Sequence, residues 1–218
     1  MIARRTLVLA GGLFLTASAF GYFFLYKTKF KSPSKKHVSV TASNSADDKK
    51  EILIRLNKKA AEVKDYITDH GFDERYCFLM DMRIPSGKNR FFVYDLDNGS
   101  VETAGLVAHG SGNSYSETPV FSNTPNSNCT SLGRYRIGKP YYGTFGLAYK
   151  LYGLDKTNSK AFDRFVVLHA HECVPTDEVA PAAICKSWGC PTVSPAFLTQ
   201  LSSYINASSK PILLWIYY

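Results

Sequence analysis

Cys190 stands in the run Lys186-Ser187-Trp188-Gly189-Cys190-Pro191, and its neighbours suit a reactive thiol. Gly189 lets the chain turn sharply and brings backbone N–H groups near the sulfur, while Pro191 fixes the exit. A thiolate reacts well only where a base, a cation or oriented dipoles lower its pKa. An imidazole is the natural partner, and the run Arg164-Phe165-Val166-Val167-Leu168 delivers His169 at its end. A strand end is rigid on one side and open on the other, as a general base requires. The chemistry in view is attack by a cysteine nucleophile with a histidine as its base.

Rival readings of the same residues exist. His171, with fifteen residues between it and Ser187, is the alternative base, but His169 ends the apolar strand directly. His109, beside Gly110, serves either as a cleft residue or as a satisfied structural histidine. His169, His171, Cys173, Cys185 and Cys190 together also suggest zinc. Their C-x4-C and H-x-H-x-C spacings are looser than those of fingers or ribbons, so no metal is assigned. The five cysteines (77, 129, 173, 185 and 190) leave at least one unpaired within the molecule outside the cytosol. A Cys173–Cys185 bridge is one option, and the pairing stays open.

A histidine at a strand end, seventeen residues and then S-x-G-C resembles the signature of the YkuD-type L,D-transpeptidases, cysteine enzymes that cross-link bacterial peptidoglycan. The closer likeness is to their murein L,D-transpeptidase catalytic-domain branch. It covers about residues 76 to 218 and includes Val107-Ala108-His109-Gly110, Phe121-Ser122-Asn123, Ser131-Leu132-Gly133 and Tyr142-Gly143. Leu151-Tyr152-Gly153-Leu154, Val167-Leu168-His169 and Ser187-Trp188-Gly189-Cys190-Pro191 continue the series. Trp188 replaces the commoner histidine, Ala170 replaces the glycine usual after the base, and Cys185-Lys186 stands where the branch tends to show Gly-Arg. Cys185, five residues before Cys190, raises a regulatory disulfide as an option.

The resemblance implies that Cys190 attacks the carbonyl of the third residue, a diamino acid, of a donor tetrapeptide stem. His169 keeps the thiolate available as a thiolate–imidazolium pair and protonates the departing D-alanine. N–H groups near Gly189 and Cys190 hold the oxyanion, and Ser187 orients His169 or supports the turn. His109, Tyr142 and Trp188 are the substrate-binding candidates, Trp188 mainly through its backbone carbonyl. An amine acceptor makes the protein a transpeptidase, and water makes it an L,D-carboxypeptidase or amidase. A non-catalytic envelope protein that binds wall peptides is the alternative class, and the intact His169–Cys190 pair favours the enzyme. The implied partners are peptidoglycan stem peptides, with no cofactor and no nucleic acid, and the implied form is a monomer.

The elements that must position this chemistry are mostly strands, and the resemblance implies a YkuD-like β-sandwich. Lys49 to His70 carries Ile52, Leu53, Leu56, Ala60, Val63 and Ile67 near helical spacing, with Asp47 or Asp48 as cap and Gly71 as stop. Tyr76–Met82, Arg90–Leu96, Val101–Ala108, Phe162–His169 and Pro211–Tyr218 read as strands, with Asp97-Asn98-Gly99 a hairpin turn. Ser194–Ile205 reads as a short helix. The Ser-, Asn- and Pro-rich stretch Ser111–Ser131 reads as a loop over the site. Tyr141, Tyr142, Phe145 and Tyr149 read as core or cleft aromatics.

Upstream, Arg4 and Arg5 precede the uncharged stretch Thr6–Tyr26, which Lys27, Lys29 and Lys31 close. At ~1.5 Å per residue such a stretch spans about 30 Å, the hydrocarbon thickness of a bilayer. Residues 1–31 therefore read as an inner-membrane anchor, or as a signal peptide using Ala17-Ser18-Ala19. Residues 32–48 read as a flexible tether and 49–218 as the catalytic domain. The lysines after the stretch favour a cytoplasmic body by the positive-inside tendency, whereas wall chemistry requires the periplasmic or extracytoplasmic face of a bacterial envelope. The net charge of +8 belongs to the leader: residues 1–50 carry nine basic and two acidic groups, and 51–218 carry seventeen and sixteen. A nearly neutral body excludes nucleic-acid binding by bulk charge.

Overall fold

The apolar stripe at the start of the domain folds as expected, with different limits. Helix α1 spans Ser43–Ile67. The computed structural model describes residues 43–112 and 118–218. The expected membrane segment and most of the expected tether lie outside the described residues, and the tether's last six residues open α1. Asp47 and Asp48 therefore lie inside the helix rather than capping it. The helix ends at Ile67, three residues before His70. The His70 N–H returns to the Ile67 carbonyl, and Gly71 takes the left-handed conformation (φ +69°) that stops the run.

Leu56, Ala60, Val63 and Ile67 are buried and pack on Cys77, Leu79, Phe92, Tyr94 and Leu213, whereas Leu53 is exposed. Each large side chain of the stripe contributes about 1.5–3 kcal/mol when fully buried. A charge at Val63 breaks the contact, because nothing in the stripe would pair with it.

The strands are β1 (Tyr76–Asp81), β2 (Phe91–Asp95), β3 (Ser100–Gly105), β4 (Val107–Ala108), β5 (Gly133–Gly143), β6 (Gly146–Gly153), β7 (Val167–Ala170), β8 (Thr192–Val193) and β9 (Leu213–Tyr217). They form one sheet in the order β3-β2-β1-β9-β5-β6-β7-β8-β4, with β1–β9 and β7–β8 parallel and the other pairs antiparallel. The expected Val101–Ala108 strand is thus two. β3 and β4 stand at opposite ends of the sheet, yet only Leu106 separates them in the chain. One residue spans at most ~3.6 Å, so the two ends must meet and the sheet must curl on itself. Its halves face each other as a sandwich does. Phe78, Phe91 and Leu214 of one half meet Tyr149, Leu168 and Val193 of the other in a single core.

Helix α2 (Pro195–Ala207) closes that core with Phe197, Leu198 and Leu201. Ser194 caps it by accepting from the Phe197 N–H, and Pro195 occupies the first turn, where no donor is lost. Phe197 meets Phe91 edge-on at 5.4 Å.

Three strands, β5, β6 and β8, escape the sequence reading, and β7 is half the length expected. β5 and β6 form a long hairpin whose outer half, past Gly138, is largely exposed, so its alternation fades after Tyr135 and Ile137. Phe162–His169 is not one strand. Ala161 N–H to Asn158 O and Arg164 N–H to Lys160 O wind the start into turns, and Phe165 leaves them at φ +56° before β7 begins.

Candidate active site

The parallel pairing of β7 with β8 sets His169 opposite Thr192, two residues after Cys190. His169, on β7, and Cys190, just before β8, therefore line one cavity of about 460 Å³. His169 is the third of four residues in β7, not its last. Its Nδ1 lies 3.0 Å from the Ala170 carbonyl oxygen, which can only accept, so Nδ1 carries the hydrogen. In the neutral ring Nε2 is then the basic atom. Thr192 Oγ1 lies 3.0 Å from it, and Phe145, from the turn between β5 and β6, stacks on the ring at 4.4 Å.

The turn before Cys190 is held from several sides. Gly189 has φ +114°, and a Cβ there would lie 2.9 Å from the Cys129 carbonyl oxygen, so only glycine fits. Ser187 Oγ accepts from the Gly189 N–H at 3.2 Å and donates to the Cys190 carbonyl at 2.6 Å. Of its two expected roles, Ser187 holds that of turn support; its contacts run to the turn and not to His169. Thr130 Oγ1 joins the Gly110 N–H to the Gly189 carbonyl. The Cys190 N–H is without an acceptor among the described residues. The Cys190 thiol faces the Phe165 carbonyl at 3.8 Å.

Burial works against the expected thiolate–imidazolium pair. Burial pushes the Cys190 thiol above its ordinary value, opposed by the Val167 N–H and the Arg164 charge. Burial holds His169 below its ordinary value, the Ala170 carbonyl opposes this and the His171 charge adds to it. Both shifts run against the charged forms.

Trp188 lines the cavity and is 82% exposed. Tyr142 is 84% exposed on the outer arm of β5 and is not among the cavity's lining residues, although Phe145 at the tip is. His109 is buried away from the cavity wall, where its Nδ1 accepts from Arg90 Nη2 at 2.8 Å. Its backbone still serves the site, because the His109 carbonyl accepts from the Ser187 N–H. His171 lines the cavity, and its Nδ1 accepts from the Cys173 N–H. Cys173 and Cys185 form a disulfide in the cavity wall, which removes two thiolates from the zinc reading.

Three cavity residues went unnoticed in the sequence. Arg164 donates to the carbonyls of Ser122 and Cys129 and to the hydroxyls of Ser127 and Ser131, tying the 122–131 segment to the nucleophile turn. Its signal was its place just before the base-bearing strand. Thr192 was visible only through the strand register. Phe165 was read as a strand residue, yet it is 83% exposed in a left-handed conformation, the mark of a bulky residue held for a local purpose.

With a curled sheet and a cysteine–histidine cavity in place, the comparison with known proteins is informative. Residues 48–217 match the YkuD_2 family, the L,D-transpeptidase catalytic domain, and the chain belongs to that family. The family is one of peptidoglycan-modifying, L,D-transpeptidase-like proteins. Among solved structures, the chain is similar to Pgp2, the helical cell shape determining protein of Campylobacter jejuni, with TM-score 0.41, 11% identity, and 65% of this chain and 47% of that one covered. A mutant of Pgp2 gives 0.42, 12%, 74% and 55%. The Ldtfm–avibactam carbamoyl enzyme gives 0.41, 14%, 67% and 50%. The chain spans about half the length of these proteins. No curated protein matches it.

Proposed function

We propose that the protein is a peptidoglycan L,D-transpeptidase in which Cys190 is the nucleophile and His169 the base. The observation that carries the reading is the hydrogen bond from His169 Nδ1 to the Ala170 carbonyl, which leaves Nε2 basic in the cavity that holds Cys190. As the Thr192 hydroxyl turns from Nε2 to the Cys190 carbonyl, the thiol proton passes to Nε2 while the sulfur attacks the carbonyl of the third stem residue. The Cys190 N–H is the oxyanion donor in the turn, since the Gly189 N–H is committed to Ser187. As the C–N bond to the terminal D-alanine breaks, His169 returns the proton to the departing amine and a thioester remains. An acceptor amine then attacks the thioester and gives its proton to Nε2. The sulfur leaves as thiolate and is reprotonated from the ring.

Trp188 and Phe165 flank the substrate at the cavity mouth, while Tyr142 and His109 have no direct part. A Cys173–Cys185 disulfide suits an oxidising compartment and supports the extracytoplasmic reading. Among the described residues no helix is long and apolar enough to cross a membrane. Attachment through residues 1–31 stays part of the proposal, as does the monomeric state.

The test is incubation with purified tetrapeptide muropeptides, read by mass spectrometry. The expected result is loss of D-alanine and an acyl adduct on Cys190, both absent in Cys190→Ala. Turnover unchanged in that variant would refute the nucleophile. Product linked to an amine identifies the transpeptidase, and free tripeptide identifies the carboxypeptidase.

A further inference from the structure

Thr192 is buried in β8, between His169 of β7 and Ala108 of β4. Its Oγ1 lies 3.0 Å from His169 Nε2 and 3.3 Å from the Cys190 carbonyl oxygen. A hydroxyl has one proton, and both of these neighbours can accept it. Since Nδ1 is committed to Ala170, a neutral His169 takes the hydroxyl proton at Nε2. Once the ring is protonated, Nε2–H becomes the donor and Oγ1 the acceptor. The hydroxyl proton then turns to the Cys190 carbonyl, which Ser187 already holds at 2.6 Å with room for a second donor. The ring keeps two hydrogen bonds in either state, but protonation makes both charge-assisted and frees the hydroxyl for a further bond to the Cys190 carbonyl.

We propose that Thr192 is a positioning residue that fixes the His169 ring and raises its proton affinity through a hydroxyl shared with the Cys190 carbonyl. Other groups around the ring set its starting point: His171 just past the end of its strand, Arg164 before it, Lys186 and Cys190 in the cavity wall, and Glu172 beyond Phe145. β8 and β4 offer the ring no charge, so the hydroxyl is their contribution. It links base and nucleophile, and a proton arriving at His169 is felt in the backbone of Cys190.

The inference rests on His169 as the base but not on the identity of the acyl donor. The test compares Thr192→Val, which keeps the shape, and Thr192→Ser, which keeps the hydroxyl, in the full chain. Long-range nitrogen NMR of the His169 ring reads tautomer and titration, assigned with His169→Gln. Wild type and serine are expected to show the Nδ1–H tautomer and similar midpoints. Valine is expected to titrate about one pH unit lower. The acid limb of muropeptide turnover should move by the same amount. A valine midpoint equal to wild type, or a serine shift as large as valine's, overturns the proposal. Thr192→Ala carries the same expectation should valine fail to fold. A chain inactive on every muropeptide that still shows the valine shift would defeat the substrate reading and leave this one standing.

Discussion

Arg164 Nη2 donates to the Cys129 carbonyl at 2.6 Å, and that carbonyl is the wall against which Gly189 turns. The carbonyl cannot retreat without breaking the guanidinium contact. Gly189→Ala therefore meets both an unfavourable φ and a fixed obstacle. The expected cost is about 1–3 kcal/mol in chemical denaturation. Misplacing the sulfur by about 1 Å should also reduce turnover by about 100-fold, beyond any loss of folded protein.

Arg164 is also the cation nearest in effect to the thiol. Its charge lowers the Cys190 pKa against the dominant effect of burial. In Arg164→Gln the pH at which iodoacetamide alkylation of Cys190 becomes fast should rise by about one unit or less. Arg164→Lys should keep that midpoint closer to wild type. Both variants should melt at lower temperature, because neither keeps the fork that holds four acceptors.

Arg90 and His109 form a second buried pair at the seam where β3 passes into β4. Arg90 donates to the Val107 and Ile84 carbonyls as well as to His109. Burial, then the charges of Arg90 and Lys186, hold His109 down to about 4 from an ordinary 6.5. The unfolded chain thus binds a proton near pH 6.5 that the folded chain refuses until about 4. This contribution to stability is full above pH 6.5 and declines as pH falls toward 4. Urea denaturation across that window should show the decline, and His109→Gln should flatten it.

The disulfide closes a short loop, with the two cysteines separated by 12 in sequence. Loops of this size lose about 2–4 kcal/mol when the bridge is removed. The Cys173→Ser, Cys185→Ser double variant should show that loss in denaturant. Its loop is further anchored by Val174 and Ile184 against Leu106 and Ala108, so the fold should survive.

That His169 and Cys190 line one cavity agrees with the sequence reading, whose signal is local: a glycine and a proline around one cysteine, and an apolar run before one histidine. α1 was legible for the same reason, its stripe repeating at helical spacing. The hairpin β5–β6 was not, because Gly138, Lys139 and Pro140 interrupt the alternation where the arm leaves the core. The break at Leu106 was also invisible, since Val101–Ala108 is apolar enough for one strand and only the curling of the sheet divides it. Arg164 and Thr192 act through partners far away in the chain. His109 stayed open between cleft and structural residue because proximity to a glycine says nothing about which side of the backbone the ring occupies; the ring is buried against Arg90.

Phe145 rests on His169 but is carried at the end of an arm rooted some distance away, at Tyr135 and Leu151. The stiffness of that arm therefore decides how steadily the imidazole is covered. Evolution can adjust the chemistry from outside the cavity, by bending or bracing a lever whose fulcrum is Pro140.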